Sequence, residues 1–395
     1  DGILRIETMT GALLSLFLFQ APQALAVPVE CPFKVTEEAI IVDAVVNGKT
    51  ISCMFDTGYA GYFVINDAIN IGKPSGVTGL RDFVGTFEAK TVKIDSIRLG
   101  GLTVNDPHAD AVQLPMAHMS LSYGTHTDAI MGLSVVKDYV TEINVEKQKF
   151  IFHPRSVDIT KRTPDNERTF LVKMLPYGYN SIELPVTVNG KPMHLSLDTG
   201  NAFYTTTHKE SLIRVGLWDK EQKPNFMTQA MVASGPVDSF MVKVPEANIF
   251  GVPVNDSVWS VIDLPSSGAD SDGTVGFGFL KYFNIIIDYE RRYVWLENWT
   301  GRVTDPPKAH VGFRVYQAEN GDYVVFGVFR GGPAETAGIQ RGDRLRVIDG
   351  KSVSMMRPEQ VEAALSGEEG SICKVAVSRG GILVRADIER KLLIN

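Results

Sequence analysis

The chain has 395 residues, 44% of them hydrophobic and 22% charged, and is long enough for two or three domains with well-developed cores. Its formal net charge of −7 excludes the strongly basic surface that nucleic-acid binding requires, so we expect no nucleic-acid partner. The three cysteines are odd in number and far apart, which is not the pattern of a disulfide framework.

The N-terminal stretch has the pattern of a secretory signal. A short apolar run at residues 12–19 is followed by Ala24-Leu25-Ala26, an Ala-x-Ala cleavage pattern. The run is too short for a stable bilayer anchor. Only Arg5 is basic upstream of it, and the alternative is a buried or disordered apolar strip. We predict a signal peptide at residues 9–26, export to the periplasm or the medium, and no integral membrane span after its removal.

An internal repeat organises most of the remaining chain. Residues 45–58 match residues 187–200 at an offset of 142, and both stretches run from Asn-Gly through an apolar strand to Asp-Thr-Gly. A second match, of residues 128–133 with 272–277, follows at an offset of 144. In both copies an apolar strand, a charged turn and another apolar strand come next. The chain therefore contains two copies of one structural unit.

Local signals within each copy indicate strands. The Asn-Gly pairs at 47–48 and 189–190 are typical of two-residue hairpin turns, and sustained helical periodicity is scarce. We predict two all-β lobes, at residues 33–152 and 170–298. The charged, proline-containing residues 153–169 would connect them.

The C-terminal segment differs in character. Residues 299–309 are predicted to be a linker, and residues 310–395 alternate strands with two helices. Pro333 and Gly338 bound the first helix, and residues 358–365 form the second.

The two Asp-Thr-Gly triplets are the strongest candidates for chemistry. A single triplet is an ordinary turn, but if the two lobes pack about a pseudo-two-fold axis, Asp56 and Asp198 meet there. Two carboxylates that close would share one proton and titrate as a pair. The ionised member could then deprotonate a water molecule while the protonated member polarises a carbonyl, which hydrolyses an amide without a metal or a covalent intermediate.

These motifs resemble those of the pepsin and retroviral-protease superfamily, and most closely its bacterial retropepsin-like members. Each lobe has a hydrophobic-hydrophobic-Asp-Thr-Gly loop and later a hydrophobic-hydrophobic-Gly segment, at 130–132 and 274–276. The resemblance covers about residues 33–298. It implies a mainly β fold of two pseudo-two-fold-related aspartic-protease-like lobes, with a flap at residues 79–91 whose Phe83 and Phe87 cover the substrate.

The resemblance also implies a role for each residue of the loops. Asp56 and Asp198 would be the catalytic dyad. The implied supporting residues are Thr57 and Thr199, which brace the loops, Gly58 and Gly200, which allow close approach, and Asn201, whose side chain could donate to the outer carboxylate oxygen. Pepsin-like enzymes commonly have serine or threonine after the glycine, and retroviral enzymes alanine. This chain has Tyr59 and Asn201 there, so we expect unequal support of the two aspartates.

Residues 328–345, continuing to 348–350, resemble the PDZ domain (α+β) attached to bacterial periplasmic proteases. Such domains add a peptide as an extra strand beside the second helix and hold its terminal carboxylate on backbone amides. The residues that match this loop are Val311, Gly312, Phe313 and Arg314. The expected partner here is a peptide C-terminus or an extended strand. Alternatively, the module only packs against the lobes.

The sequence as a whole predicts an exported aspartic endopeptidase that acts on peptide or protein substrates. No cofactor or metal is expected, because the scattered histidines have no ligand-like spacing. The alternative is a catalytically silent protease-like scaffold that binds peptides through its PDZ domain. Both aspartates and both threonines are intact, which favours the enzyme. A third possibility is that each lobe pairs with its counterpart in another molecule.

Overall fold

The computed structural model describes residues 25–395 except 82–85, 117–122, 124, 177–179, 233–234, 263–271 and 319. Nearly all of the predicted signal peptide, and Phe83 of the predicted flap, lie outside the described residues. The fold is mainly β, with two lobes and a C-terminal α+β module, which confirms the predicted fold class. None of the helices in the described part of the chain has the length and apolarity that a bilayer crossing would take.

The first lobe is built mainly from antiparallel hairpins, with two parallel strand pairs among them. Its strands are β1 (Val29–Pro32), β2 (Lys34–Val35), β3 (Ile40–Val46), β4 (Lys49–Asp56), β5 (Phe63–Asn66), β6 (Pro74–Arg81), β7 (Thr86–Leu99), β8 (Leu102–Leu114), β9 (Ala129–Gly132), β10 (Val140–Asn144) and β11 (Lys149–His153). The predicted Asn47-Gly48 turn joins β3 to β4, and both residues have positive φ, as a type I′ turn requires.

The second lobe repeats this plan. Its elements are β12 (Thr169–Lys173), β13 (Glu183–Val188), β14 (Lys191–Leu197), β15 (Thr205–His208), α1 (Lys209–Val215), β16 (Thr228–Val232), β17 (Gly235–Ile249), β18 (Val252–Ile262), β19 (Gly273–Val275), α2 (Phe277–Leu280), β20 (Phe283–Asp288) and β21 (Tyr293–Asn298). Short 3-10 helices lie at Leu133–Val135 in the first lobe and at Ile159–Lys161 before β12.

Apart from β2, the sheets of the two lobes have the same strand order, and both lobes contribute strands to a further sheet. The first-lobe sheet runs β2-β3-β4-β9-β5-β8-β7-β6, and the second runs β13-β14-β19-β15-β18-β17-β16. A third sheet, β1-β11-β10-β20-β21-β12, takes strands from both lobes, with β10 antiparallel to β20 at its centre. Buried side chains of both lobes, such as Phe55 and Leu197, belong to one apolar core. The sequence repeat thus becomes a pseudo-two-fold arrangement within one chain.

The C-terminal module has an apolar core of its own. Its elements are β22 (Ala309–His310), β23 (Phe313–Gln317), β24 (Tyr323–Val328), α3 (Pro333–Thr336), β25 (Arg344–Ile348), β26 (Lys351–Ser352), a 3-10 helix (Val353–Met355), α4 (Pro358–Leu365), β27 (Ser366–Gly367), β28 (Ile372–Arg379) and β29 (Ile382–Glu389). Strand β23 lies at the edge of the sheet β23-β24-β25-β28-β29. Both predicted helices are present, each with proline in its first turn.

The module docks on the second lobe at the start of β16. The backbones of Met227 and Arg330 exchange two hydrogen bonds of 3.0 and 2.8 Å, and the Arg330 guanidinium pairs with Asp238 of β17 at 2.6 Å. The side-chain amide of Asn395 donates to the carbonyls of Phe226 and Met241. The C-terminal module is therefore fixed to the hairpin formed by β16 and β17.

Candidate active site

One strand in each lobe delivers an aspartate to the junction of the lobes. Asp56 is the last residue of β4 and pairs in register with Gly132 of the parallel strand β9. Asp198 directly follows β14, and its N–H donates to the carbonyl of Val275 in the parallel strand β19 (3.0 Å). Rigid backbone on both sides therefore fixes each carboxyl group, and the structure brings the two aspartates together.

Thr57 and Thr199, both fully buried, tie the two loops to each other. The Thr57 hydroxyl donates to the carbonyl of Leu197 (2.8 Å) and accepts from the Thr199 N–H (3.0 Å). The Thr199 hydroxyl donates to the carbonyl of Phe55 (2.8 Å) and accepts from the Thr57 N–H (3.1 Å). Because leaving such a buried partner unpaired costs about 1–3 kcal/mol, this network holds the loops at one separation.

Gly58 and Gly200 let each carboxyl group lie against the opposite loop. A Cβ atom at Gly58 would lie 2.7 Å from Cγ of Asp198, and one at Gly200 would clash with Cγ of Asp56. Any side chain at either position would therefore push the aspartates apart.

Each carboxyl group is held by the backbone that follows it. The Oδ1 atom of Asp56 accepts from the N–H groups of Gly58 (2.7 Å) and Tyr59 (3.1 Å), and that of Asp198 accepts from Gly200 (2.9 Å) and Asn201 (3.1 Å). The two carboxyl groups lie close enough for each to act on the pKa of the other, and the charge of Asp198 disfavours ionisation of Asp56. Burial, followed by the charge of Asp198, raises the pKa of Asp56 well above its ordinary value, and burial also raises the pKa of Asp198.

Asp198 receives further support from Thr274 of β19. The Thr274 side chain hydrogen-bonds the Asp198 carboxyl and thereby opposes the rise in its pKa. Asn201 Nδ2 donates to Thr274 Oγ1 (2.8 Å), while Asn201 Oδ1 accepts from the Phe203 N–H (3.0 Å). That backbone group can only donate, so it fixes the orientation of the amide. Since Thr274 Oγ1 accepts from the amide, its own proton is available to Asp198.

The predicted direct bond from the Asn201 side chain to the carboxylate is therefore wrong. The backbone N–H of Asn201 reaches Asp198, and its side chain instead orients Thr274. In the first lobe the residue matching Thr274 is Ile130, which has no hydroxyl. Tyr59 gives Asp56 a backbone N–H, and burial together with the Asp56 charge raises the pKa of its phenol to about 12. The aspartates are thus unequally supported.

Thr274 is the residue that sequence reasoning missed. It stands at the first position of the segment 274–276, where the motif calls for a hydrophobic residue. The polar residue at that position was the one feature of the sequence that could have identified Thr274. Its meaning depends on the parallel pairing of Ser196 with Thr274, which only the structure supplies.

A cavity of about 2400 Å³ contains both aspartates. Leu80 of β6 and Phe87 of β7 line it on the first-lobe side, from the hairpin predicted to be the flap, and residues 228–232 of β16 line it on the second-lobe side. The cavity continues into the C-terminal module between the edge strand β23 and helix α4. An extended peptide could therefore contact the aspartates and this groove within one space.

The loop predicted to bind a terminal carboxylate is internally bonded. The Val311 N–H donates to the carbonyl of Leu365 (3.3 Å), and the Gly312 N–H donates to Nδ1 of His310 (3.0 Å). The Phe313 side chain is buried in the core, and that of Arg314 is exposed. In this conformation a peptide carboxylate could bind at Gly312 only by displacing the imidazole.

Comparisons with known proteins identify the C-terminal module. Residues 324–379 match the family model of the PDZ domain, within the range predicted from the sequence. Among solved structures, the chain is similar to the crystal structure of an aspartic proteinase from Irpex lacteus. The identity is 13% and the TM-score 0.42, with 69% of this chain and 98% of that chain covered. No curated protein matches significantly.

Proposed function

We propose that the chain is an aspartic endopeptidase whose dyad is Asp56 and Asp198. The observation that carries the proposal is the pair of carboxyl groups, Asp198 buried and Asp56 half-buried, each held against the opposite loop in the large cavity between the lobes. A buried carboxyl pair destabilises a fold unless it has another role, because burial and like charge both oppose its ionisation. Amide hydrolysis is a role that needs such a pair to share one proton.

The mechanism follows from the unequal support of the pair. Asp198, whose ionised form Thr274 stabilises, takes a proton from the attacking water molecule. Asp56, which holds the shared proton, donates a hydrogen bond to the carbonyl oxygen of the scissile amide. The water oxygen bonds to the carbonyl carbon while Asp198 keeps the proton taken from water and Asp56 passes its proton to the carbonyl oxygen, which gives a neutral tetrahedral diol. As the C–N bond breaks, Asp198 gives its proton to the leaving amine nitrogen and Asp56 takes back a proton from a diol hydroxyl, so the pair regains its starting protonation when the products leave.

The PDZ domain would act as a second peptide-binding surface of the same enzyme. Such domains bind peptides as an added strand, and the edge strand β23 and helix α4 border the groove that joins the cavity of the aspartates.

Export to the periplasm or the medium is also proposed, on the pattern of residues 9–26 alone. N-terminal sequencing of protein recovered from cell fractions tests it. Exported protein that begins at Val27 would support export, and uncleaved protein retained in the cytoplasm would overturn it.

Replacing either aspartate tests the proposed activity. Asp56→Asn and Asp198→Asn should each lower kcat/KM on a peptide library by at least about a thousandfold, because neither variant can share a proton as a dyad does. The measurement is mass-spectrometric detection of cleavage between pH 3 and 8, with Asp110→Asn, an exposed carboxyl on β8, as the matched control. Near-normal activity of either dyad variant would show that the mechanism is wrong. An inactive wild-type protein that still binds peptides would favour the scaffold alternative.

Thermal unfolding provides the control for folding, and the pKa shifts of the aspartates give the expected direction of its change with pH. Because the folded-state pKa values of both aspartates are raised, the stability that the pair contributes is full below the unfolded pKa of about 3.9 and is lost as pH rises through the folded values. Asp198→Asn should therefore unfold at a higher temperature than wild type at pH 7, and at a similar temperature at pH 3. A lower Tm at pH 7 would mean that lost activity reflects damage to the fold.

A further inference from the structure

Each lobe has, beside its aspartate, a row of four side chains that lie opposite one another on neighbouring strands. The row of the first lobe is apolar, and the matching row of the second lobe is polar. In the first lobe, residues opposite one another on β3, β4, β9 and β5 are Ile41, Met54, Ile130 and Val64. In the second lobe, the matching residues on β13, β14, β19 and β15 are Glu183, Ser196, Thr274 and Thr206. Residues opposite one another on neighbouring strands project from the same face of a sheet, so each row is continuous.

Both rows border the cavity that holds the aspartates. Val64 and Ile130 line it from the first lobe, and all four members of the second-lobe row line it from the other side. The first-lobe row belongs to an apolar cluster that includes Met116 and Tyr123. The polar row is therefore a departure from the lobe symmetry at the place where substrate would lie.

Glu183 is the most informative member of the polar row. Its side chain is well buried, with the residue only 7% exposed, and Oε1 accepts from the Ser181 hydroxyl (3.1 Å). Its Oε2 atom has no hydrogen-bond partner among the described residues. Buried polar atoms are nearly always paired, so an unpaired one at a cavity wall points to a missing ligand.

The surroundings of Glu183 hold the pKa of its carboxyl group above its ordinary value. Burial raises the pKa of its carboxyl group and Asp272 adds to that rise, while the Ser181 hydroxyl, His194 and Arg292 oppose it. A raised pKa disfavours the carboxylate that a cationic ligand would need, and the Arg292 guanidinium already acts on this carboxyl group. A neutral hydrogen-bonding group fits the site.

We propose that the second-lobe row, with Glu183 and Ser196 as its selective members, is a subsite for a neutral polar side chain such as glutamine or asparagine, and that the first-lobe row accepts an apolar side chain. The inference rests on the proposed endopeptidase function. The two rows flank the aspartates symmetrically, so the residues on either side of the scissile bond meet one row each. The substrate class is therefore peptides with one polar and one apolar residue across the cleaved bond.

The experiment uses peptides identical except at the two residues that flank the cleaved bond. Each position carries either glutamine or leucine, which are similar in size, and kcat/KM is measured for all four combinations. Wild type should prefer glutamine on one side and leucine on the other, each by at least about tenfold, because an apolar side chain would leave Glu183 unpaired. Cleavage with no polar preference on either side would overturn the inference and leave the proposed function intact. Absence of any cleavage would overturn the proposed function, and the inference with it.

Substitutions in the second-lobe row test whether that row causes the preference for glutamine. Glu183→Ile and Ser196→Met install the residues that the first lobe has at matching positions, and each should reduce the glutamine preference by about tenfold. Glu183→Gln keeps a hydrogen-bonding group and should retain the preference to within about threefold. The matched control is Val64→Thr, which gives a cavity-lining position of the first lobe the residue that the second lobe has there, and it should change selectivity only on the leucine side. An unchanged glutamine preference in Glu183→Ile, with its Tm near that of wild type, would refute the assignment.

Discussion

At the scale of single residues, one hydroxyl group distinguishes the two aspartates. Thr274 donates to Asp198, whereas the matching Ile130 gives Asp56 nothing comparable. A donor to a carboxylate favours its ionised form, so in the proposed mechanism Asp198 is the member of the pair that ionises first. In the proposed mechanism, a residue outside the Asp-Thr-Gly loops therefore sets the direction of the first proton transfer.

Removing this hydroxyl should shift the pH profile of activity. In Thr274→Val the ionised form of Asp198 loses a hydrogen bond, so the pKa of the ionising member rises and the acid limb of kcat/KM moves to higher pH, by about one unit. The matched control is Thr205→Val on β15, whose buried hydroxyl has no hydrogen-bond partner among the described residues and whose loss should leave the profile unchanged. Identical profiles for wild type and Thr274→Val would contradict the role given to Thr274.

The repeat in the sequence is sufficient to predict that Asp56 and Asp198 meet. It is not sufficient to predict how Asn201 acts, because its position in the chain suggests a direct bond to the carboxylate. In the folded protein Thr274 already occupies that position, from a strand 73 residues away from Asn201. Support of the dyad depends on which side chains the parallel pairing of β14 and β19 places together.

At the scale of elements, the loop before β23 shows how local and tertiary structure differ in predictability. Proline and the Asn-Gly pairs mark helix α4 and the hairpins in the sequence, and the structure has them there. The internal bonding of Val311 and Gly312 has no such mark. Leu365 is distant from Val311 in the sequence and lies beside it where β22 pairs with β27, and a histidine two residues before a glycine does not by itself predict a bond to its N–H.

The hydrogen bond between His310 and the Gly312 N–H should weaken the binding of a peptide's C-terminal carboxylate. His310→Ala frees the Gly312 N–H, so a peptide with a free C-terminus should bind the PDZ domain about fivefold more tightly, the value of one hydrogen bond of about 1 kcal/mol. The same peptide with an amidated C-terminus is the matched control, and its affinity should not change. Calorimetric titration of the full chain measures both. Equal gains for the two peptides would show that the loop does not recognise a carboxylate.

At the scale of the whole molecule, the PDZ domain and the aspartates share one cavity. The domain is fixed to the hairpin of β16 and β17 through Met227, Arg330 and Asp238, so its groove has a defined position relative to the dyad. No sequence motif predicts the position of the PDZ domain on the second lobe, since that position depends on backbone groups and single side chains of distant segments. The two lobes can be predicted from the sequence because their sequences repeat. The docking of the PDZ domain involves no repeated sequence and cannot be predicted in this way.

A shared cavity predicts that long substrates gain affinity from the PDZ groove and short ones do not. Ala363 is exposed on α4 and lines the cavity, so Ala363→Trp should fill the groove without disturbing either core. For a substrate long enough to reach both regions, KM should rise about three- to tenfold with kcat little changed, because binding energy remote from the dyad is lost. For a peptide of about eight residues, both constants should stay near wild type.

The matched control is Lys374→Trp, which adds the same bulk at an exposed position of β28 that does not line the cavity. It should change neither substrate's kinetics. If Ala363→Trp slowed the short and the long substrate equally, the tryptophan would be acting on the dyad or on the fold, and the two regions would not form one binding surface. A loss confined to the long substrate is the result that a continuous groove requires, because only such a substrate reaches α4 while its scissile bond lies at Asp56 and Asp198.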